Sequence, residues 1–448
     1  MQELSGFAYF EVEFTRDGQV FDSKAVTAGE KVLDDRSVTD LIVISHGWNN
    51  DMGQARALYR RFFEVTRQMF DSSYPELATR SFAVMGVLWP SKKFAERELI
   101  ASGAASGRSV VTDTVVKDDL DDLKAVFDDP GAEEAIDKAK DLVSRLDDSP
   151  AARKQYAEII RSLLPRSSAD DEDASSALFE LESEDIMQRL SKPVLAGPQG
   201  AGRPPGAAGG TGGGGAAGVG AGPAGAAAGI GQQFSGMKSA ARNLANYATY
   251  YAMKDRAGKV GSGGVHETLR RFRGAHPQLK LHLIGHSFGG RLVTAAAAGP
   301  PGAPPLRVES MTLLQAAFSH YGFAERFRGG KDGFFRNVVA DKRVTGPILI
   351  SHTVNDTAVG KAYPMASLLA GQVAAGLGDE NDLYGGLGRN GAQKTPEAEN
   401  GALLAAGGSY RFRPGVIYNL NADRFIADHG DISKKEVAQA VLAAIATV

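Results

Sequence analysis

The sequence predicts an α/β protein built on a mostly parallel, doubly wound sheet with helices on both faces. Three observations predict it. Short continuous apolar runs, Leu41–Ile44 and Phe82–Leu88, read as strands buried on both sides, as parallel strands do. Segments with helical spacing lie between the runs, so strands alternate with helices. One further strand, Leu279–Ile284, leads through Gly285-His286-Ser287-Phe288-Gly289 directly into a helical stretch. A G-x-S-x-G between strand and helix presents its serine at the tip of a tight turn, beside a helix amino terminus.

The elements follow in order. Phe10, Val12 and Phe14 alternate with Glu11 and Glu13, and Asp17-Gly18 is a hairpin signal, so residues 7–22 are expected to form two short strands around a turn. Asn50 or Asp51 is expected to cap a helix carrying Leu58, Phe62, Val65 and Met69 on one face. Trp89-Pro90 stops the strand at Phe82–Leu88. The alternation then breaks. Residues 92–195 are charged and helix-like, and their acidic runs, such as Asp118-Asp119-Leu120-Asp121-Asp122 and Asp170-Asp171-Glu172-Asp173, read as solvated faces. Residues 196–231 are almost only Gly, Ala and Pro, with Arg203 the sole charge, a low-complexity stretch.

Order resumes near Met237, where Ala241, Leu244, Ala248 and Tyr251 form a helical stripe, and a second helix covers roughly 264–274. Three more strands are expected at Val308–Ala316, Pro347–Val354 and Val416–Leu420. Residues 371–410 are Gly-rich and read as a long loop. Ser433-Lys434-Lys435-Glu436 has the capping-box pattern, and Val437, Val441 and Ile445 share one helical face. Residues 1–95 and 236–448 thus read as two parts of one α/β core. Residues 96–195 form a charged helical insertion, a candidate cap, and 196–235 a flexible linker.

Composition narrows the function. With 448 residues the chain fits one α/β domain carrying large insertions. The formal charge of -3 argues against a nucleic-acid binder held by phosphate contacts. The absence of cysteine excludes disulfides, thiolate catalysis and cysteine-ligated metal. No basic leader precedes an apolar run and no stretch is apolar enough for a transmembrane segment, so a soluble cytoplasmic protein is expected.

A serine hydroxyl becomes a nucleophile when a base takes its proton, and the base needs an orienting carboxylate. On a strand–helix elbow the partners follow the serine in the order acid, then histidine. The histidines lie at 46, 266, 276, 282, 286, 320, 352 and 429. Asp356 ends the Pro347–Val354 strand region, and only His429 lies beyond it, after the Val416–Leu420 strand. Asp341, Asp332 and Asp379 are weaker rivals for the acid, since none directly ends a strong strand. The oxyanion site is expected from the backbone N–H of Trp48, in Ser45-His46-Gly47-Trp48-Asn49-Asn50, together with that of Phe288. His46 is expected to fix that loop. His286 is expected to be packed or solvent-facing, and His282 to be a strand histidine satisfied by a neighbour. Trp89, Phe318 and His320 are candidate pocket walls, with local packing an equal alternative. No metal or organic cofactor is implied.

With His46-Gly47-Trp48 after a buried strand, Gly285-His286-Ser287-Phe288-Gly289, Asp356 and His429, the chain resembles the α/β-hydrolase superfamily over roughly 36–95 and 236–448. The Leu-Ile-Gly-His-Ser-Phe-Gly-Gly-Arg version is similar to bacterial esterase- and lipase-like members. The resemblance implies a Ser287–Asp356–His429 triad, backbone donors from Trp48 and Phe288, and a small-molecule or lipid ester as substrate. A peptidase, thioesterase or phospholipase on the same scaffold is the runner-up. A non-catalytic interaction protein that binds a partner through the insertion is the alternative from another class.

Overall fold

Parallel strands buried on both faces organise the molecule. A computed structural model describes residues 2–48, 50–91, 111–127, 129–166, 175–191, 236–327, 329–356 and 384–448. Nine strands form one sheet in the order β1-β2-β4-β3-β5-β6-β7-β9-β8. They are β1 (Gln2–Leu4), β2 (Phe7–Glu13), β3 (Asp40–Ser45), β4 (Phe82–Leu88), β5 (Lys280–His286), β6 (Ser310–Leu314), β7 (Ile348–His352), β8 (Ala398–Ala402) and β9 (Ile417–Asn421). Only the β1–β2 pairing is antiparallel.

The two-residue period of the strands divides the core. Leu41, Val43, Leu281 and Leu283 face one cluster, and Ile42, Ile44, Val84 and Ile284 face the other. Helix α1 (Ser23–Asp35) belongs to the first cluster, and α2 (Met52–Ser73) belongs to the second. Asp51 caps α2 in a full capping box with Gln54, one of the two caps expected.

Among the described residues the insertion holds five α-helices: α3 (Asp113–Phe127), α4 (Pro130–Leu142), α5 (Pro150–Ser162), α6 (Ser175–Glu180) and α7 (Ser183–Leu190). Their apolar stripes join the first core cluster, with α3, α5 and α7 lying against α8 (Met237–Val260). The acidic run in α3 is therefore not wholly solvated. Asp119 is buried because helix packing turns it inward, where Arg242 of α8 pairs with it at 2.7 Å. The second acidic run, at 170–173, and the low-complexity stretch lie outside the described residues. A π-helical turn, Gly261–Val265, carries α8 straight into α9 (His266–Ala275). Gly264 is needed there, because a Cβ would meet the Gly18 carbonyl oxygen at 2.3 Å.

Helix α10 (Phe288–Ala298) follows β5, and the short helices α11 (Arg336–Ala340) and α12 (Leu387–Asn390) lie in loops. The last helix, α13 (Lys435–Ala446), packs beside α2. No helix among the described residues is long and apolar enough to cross a membrane.

Three expectations are corrected. Residues 7–22 do not form a free hairpin. Phe7–Glu13 is a strand inside the sheet, and only the Phe14–Val20 bridge makes the return. Arg56 neutralises Glu11 from above, with hydrogen bonds of 2.7 to 3.0 Å, which lets the alternating strand lie between two others. Within the expected loop at 371–410, residues 384–410 contain α12 and the edge strand β8. At α13 the cap position is Lys434, with no side-chain cap, so the Ser433 capping box does not form. Lys434 instead pairs with Asp431 at 3.0 Å.

A polar cluster closes the amino end of the sheet. His282 bonds Asp40 at 2.9 Å through Nε2 and Ser310 Oγ at 2.8 Å through Nδ1, and all three are buried. His282 is thus the satisfied strand histidine. Burial opposes ionisation of Asp40, but hydrogen bonds from Arg80 and His282 hold its carboxyl well below the usual range.

Candidate active site

The opposite, carboxyl end of the sheet carries the expected site residues. β3 and β5 are neighbours, with Ser45 in register with Gly285. The helix after β3 packs on one face and the helix after β5 on the other, which makes the carboxyl ends of these two strands a topological switch point.

Ser287 stands at that point and is buried. It is the residue before α10, with φ 57° and ψ −124°, a conformation a non-glycine residue adopts only under constraint. The constraint is visible. The Ser287 N–H donates to the Leu314 carbonyl at 3.0 Å, and its own carbonyl accepts from Ala317 at 3.0 Å. Gly289 lets the first turn of α10 approach β3, since a Cβ there would meet the Ser45 and His46 carbonyl oxygens at 2.3 and 2.5 Å. Phe288 is the first residue of α10, so its N–H has no partner within the helix.

The loop after β3 faces the serine. A Cβ on Gly47 would lie 2.6 Å from Ser287 Cβ and 3.1 Å from Ser287 Oγ. His46 holds this loop, as expected. Its N–H donates to Tyr59 Oη at 2.9 Å, and that hydroxyl donates to Val87 at 2.6 Å. Its Nδ1–H donates to the Gly47 carbonyl at 2.9 Å, which also accepts from Asn50 Nδ2 at 3.2 Å. A trans peptide whose carbonyl is fixed this way directs the Trp48 N–H to the opposite side. Burial pushes His46 down to about 4, so the ring is neutral near pH 7.

Asp356 lies in the loop after β7 and His429 in the loop after β9. Asp356 Oδ2 accepts from His429 Nδ1–H at 2.7 Å, with Asp356 fully buried. The two loops are latched together. Asn355 Nδ2 donates to the Asp423 and Ile426 carbonyls at 3.0 and 2.8 Å, and the Val354 N–H donates to Asp423 at 2.9 Å. His286, beside the serine, is buried, and its ring meets that of His429 at 4.9 Å. The sheet thus brings Ser287, Trp48 and Phe288 together at one edge, and joins Asp356 to His429.

The three expected pocket walls are packed instead. Trp89 has no exposed surface. It stacks on His46 at 5.6 Å and donates Nε1–H to the His46 carbonyl at 3.0 Å, bracing the loop from behind. Phe318 is buried against Phe323 and Phe335, and His320 is buried beside Tyr321 and Asn390. Phe318 and His320 are covered by the chain that follows them, and Trp89 by the loop after β3. An aromatic cluster that spacing did not reveal lies nearer the serine: Phe288, itself buried, contacts half-buried Trp48 at 6.0 Å and buried Tyr250 of α8 at 5.3 Å. Among the described residues no group of His, Asp and Glu is arranged to hold a metal ion.

A family model described as the alpha/beta hydrolase fold matches residues 254–351, the stretch from the end of α8 through β7 that contains the elbow. The match supports an α/β-hydrolase superfamily member, and with it a hydrolase in general terms. No curated protein and no solved structure matches the chain.

Proposed function

We propose that the protein is a serine hydrolase that cleaves a carboxylic ester of a small molecule or lipid through an acyl-enzyme. Ser287 Oγ attacks the carbonyl carbon, and His429 takes the hydroxyl proton. The oxyanion is met by the N–H groups of Phe288 and Trp48, each donor contributing roughly 3 kcal/mol to lowering the barrier. His429 then protonates the leaving alcohol, and water activated by the same ring releases the acid. Asp356 fixes the His429 tautomer and stabilises its charged form.

The observation that carries this reading is the strained backbone of Ser287. A serine held at φ 57° beside a helix amino terminus costs roughly 1–3 kcal/mol, and strain of that kind gathers where reactive groups must be presented. The 2.7 Å bond between Asp356 and His429 supports it. Trp48, half-buried near the serine and backed by Phe288 and Tyr250, offers an apolar surface that favours an apolar acyl group. Tyr250 belongs to the helix that the described insertion helices pack against, which supports reading the insertion as a cap that borders the acyl side.

A fluorophosphonate probe tests the proposal. Labelling of the folded protein that disappears in Ser287→Ala is the expected result, and no labelling of folded wild-type protein refutes it. A panel of p-nitrophenyl esters, thioesters, peptides and phospholipids then ranks the leaving groups, with esters expected first.

A further inference from the structure

His286 does more than fill space. The ring is buried, and its Nε2 lies 2.7 Å from the backbone carbonyl of His429. A carbonyl only accepts, so Nε2 carries the proton and donates it. Among the described residues this is the ring's one hydrogen bond, because Nδ1 is buried without a partner. Burial, with the positive charge His429 can acquire, pushes the ring down to about 3 and keeps it neutral. The ionisable groups facing it are His429, Asp356 and His46.

A buried acceptor without a donor costs about 1–3 kcal/mol, a penalty that a phenylalanine of similar shape would avoid. The imidazole's distinctive contribution here is therefore its Nε2–H. That donor acts at the tip of the loop, beyond the Asn355 latch at Asp423 and Ile426. Asp428, His429 and Gly430 lie on a half-exposed turn held by Asp428 and Asp431 side chains on its own backbone. Asp356 fixes the His429 ring at one nitrogen, and His286 fixes its main chain. Because His286 immediately precedes Ser287, the same rigid elbow carries the serine and grips the histidine loop.

We infer that His286 is a positioning residue whose Nε2–H, donated to the His429 carbonyl, sets the separation between the His429 ring and Ser287. The inference rests on the proposed role of His429 as the base. A misplacement of about an ångström at such a site costs up to about 100-fold in rate.

The test compares wild type, His286→Phe and His286→Gln with p-nitrophenyl butyrate between pH 5 and 9, alongside thermal melts. His286→Phe removes the donor, whereas His286→Gln returns an amide N–H at similar reach. The expected result is a kcat lower by about 10- to 100-fold in His286→Phe, with KM within about twofold and a displaced acid limb of the kcat profile. His286→Gln is expected to recover kcat to within about fivefold of wild type. An unchanged kcat and pH profile in folded His286→Phe, or equal losses in both variants, overturns the inference. Should His286→Phe not fold, His286→Asn replaces it: a shorter amide that does no worse than Gln overturns the inference, and one that falls clearly below Gln supports it. The proton spectrum of the Asp356–His429 bond separates this from failure of the hydrolase reading. If wild type turns over no ester, a downfield His429 Nδ1–H signal that is kept in His286→Gln and lost in His286→Phe still supports positioning. The same signal unchanged in both overturns it.

Discussion

Gly47→Ala perturbs the proposed site from the oxyanion side with a defined geometry. The new Cβ would stand 2.6 Å from Ser287 Cβ, 3.1 Å from Ser287 Oγ and 3.2 Å from the His286 carbonyl oxygen. Ordinary carbon–carbon contacts lie at about 3.5–4.0 Å, so one loop must retreat by about an ångström. Neither retreats easily. His46, Asn50, Tyr59 and Trp89 pin the β3 loop, and the Leu314 and Ala317 main chains pin the serine. The overpacking is expected to lower stability by about 1–3 kcal/mol. The displaced serine or Trp48 N–H is expected to lower kcat by about 100-fold. Urea melts and p-nitrophenyl ester kinetics on the same preparation measure both. Gly274→Ala in α9 is the control: nothing lies within 4 Å of a Cβ there, so it is expected to gain about 0.5–1 kcal/mol with unchanged activity. Gly47→Ala with wild-type stability and kcat would refute the tight apposition of the two loops.

Other expectations concern charge, strain and pH. Ser287→Gly is expected to raise unfolding free energy by about 1 kcal/mol, by releasing the positive-φ strain, while abolishing fluorophosphonate labelling; a melt no higher than wild type counts against stored strain. Asp356→Asn leaves shape intact but removes the charge that fixes the His429 tautomer, so kcat is expected to fall about 10⁴-fold with KM within about twofold, measured by steady-state kinetics. Native His46 is pushed from 6.5 down to about 4 by burial, so below pH 6.5 the unfolded chain takes up a proton that the native one refuses. Stability is then complete above the unfolded value and is lost as pH falls toward about 4, by roughly a few kcal/mol; urea melts of wild type and His46→Gln across pH 4–8 should show the slope lessened in the variant.

Much of the sheet was legible because β3, β4, β5, β6, β7 and β9 are apolar runs whose burial leaves no other reading. β8 was not, since Ala-Glu-Asn-Gly-Ala carries no apolar signal and is a strand only because β9 offers it a backbone edge. Helix α1 escaped because only Val26, Gly29, Val32 and Leu33 turn inward, and its Gly29 dilutes the stripe. At the site, Ser287, Asp356 and His429 were legible through chain order, which follows from strands ending at one edge. The burial of Trp89, Phe318 and His320 was not, because a strand end reads as exposed until another segment covers it, the β3 loop for Trp89 and later chain for Phe318 and His320. The grip of His286 on His429 joins residues 143 positions apart, and no local pattern announces it.

The amino-end cluster gives the protein an internal negative control. Asp40, His282 and Ser310 repeat the residue types of the proposed site and are joined by bonds of 2.9 and 2.8 Å. Yet Ser310 begins a regular strand, whereas Ser287, buried to a similar degree, stands on a strained turn at a helix amino terminus. An acylating reagent offered to the native protein therefore compares a serine at an elbow with one in a regular strand. Selective modification of Ser287 over Ser310 would separate the two ingredients of reactivity within one chain, showing that a relay of hydrogen bonds is inert until the backbone delivers it to a substrate.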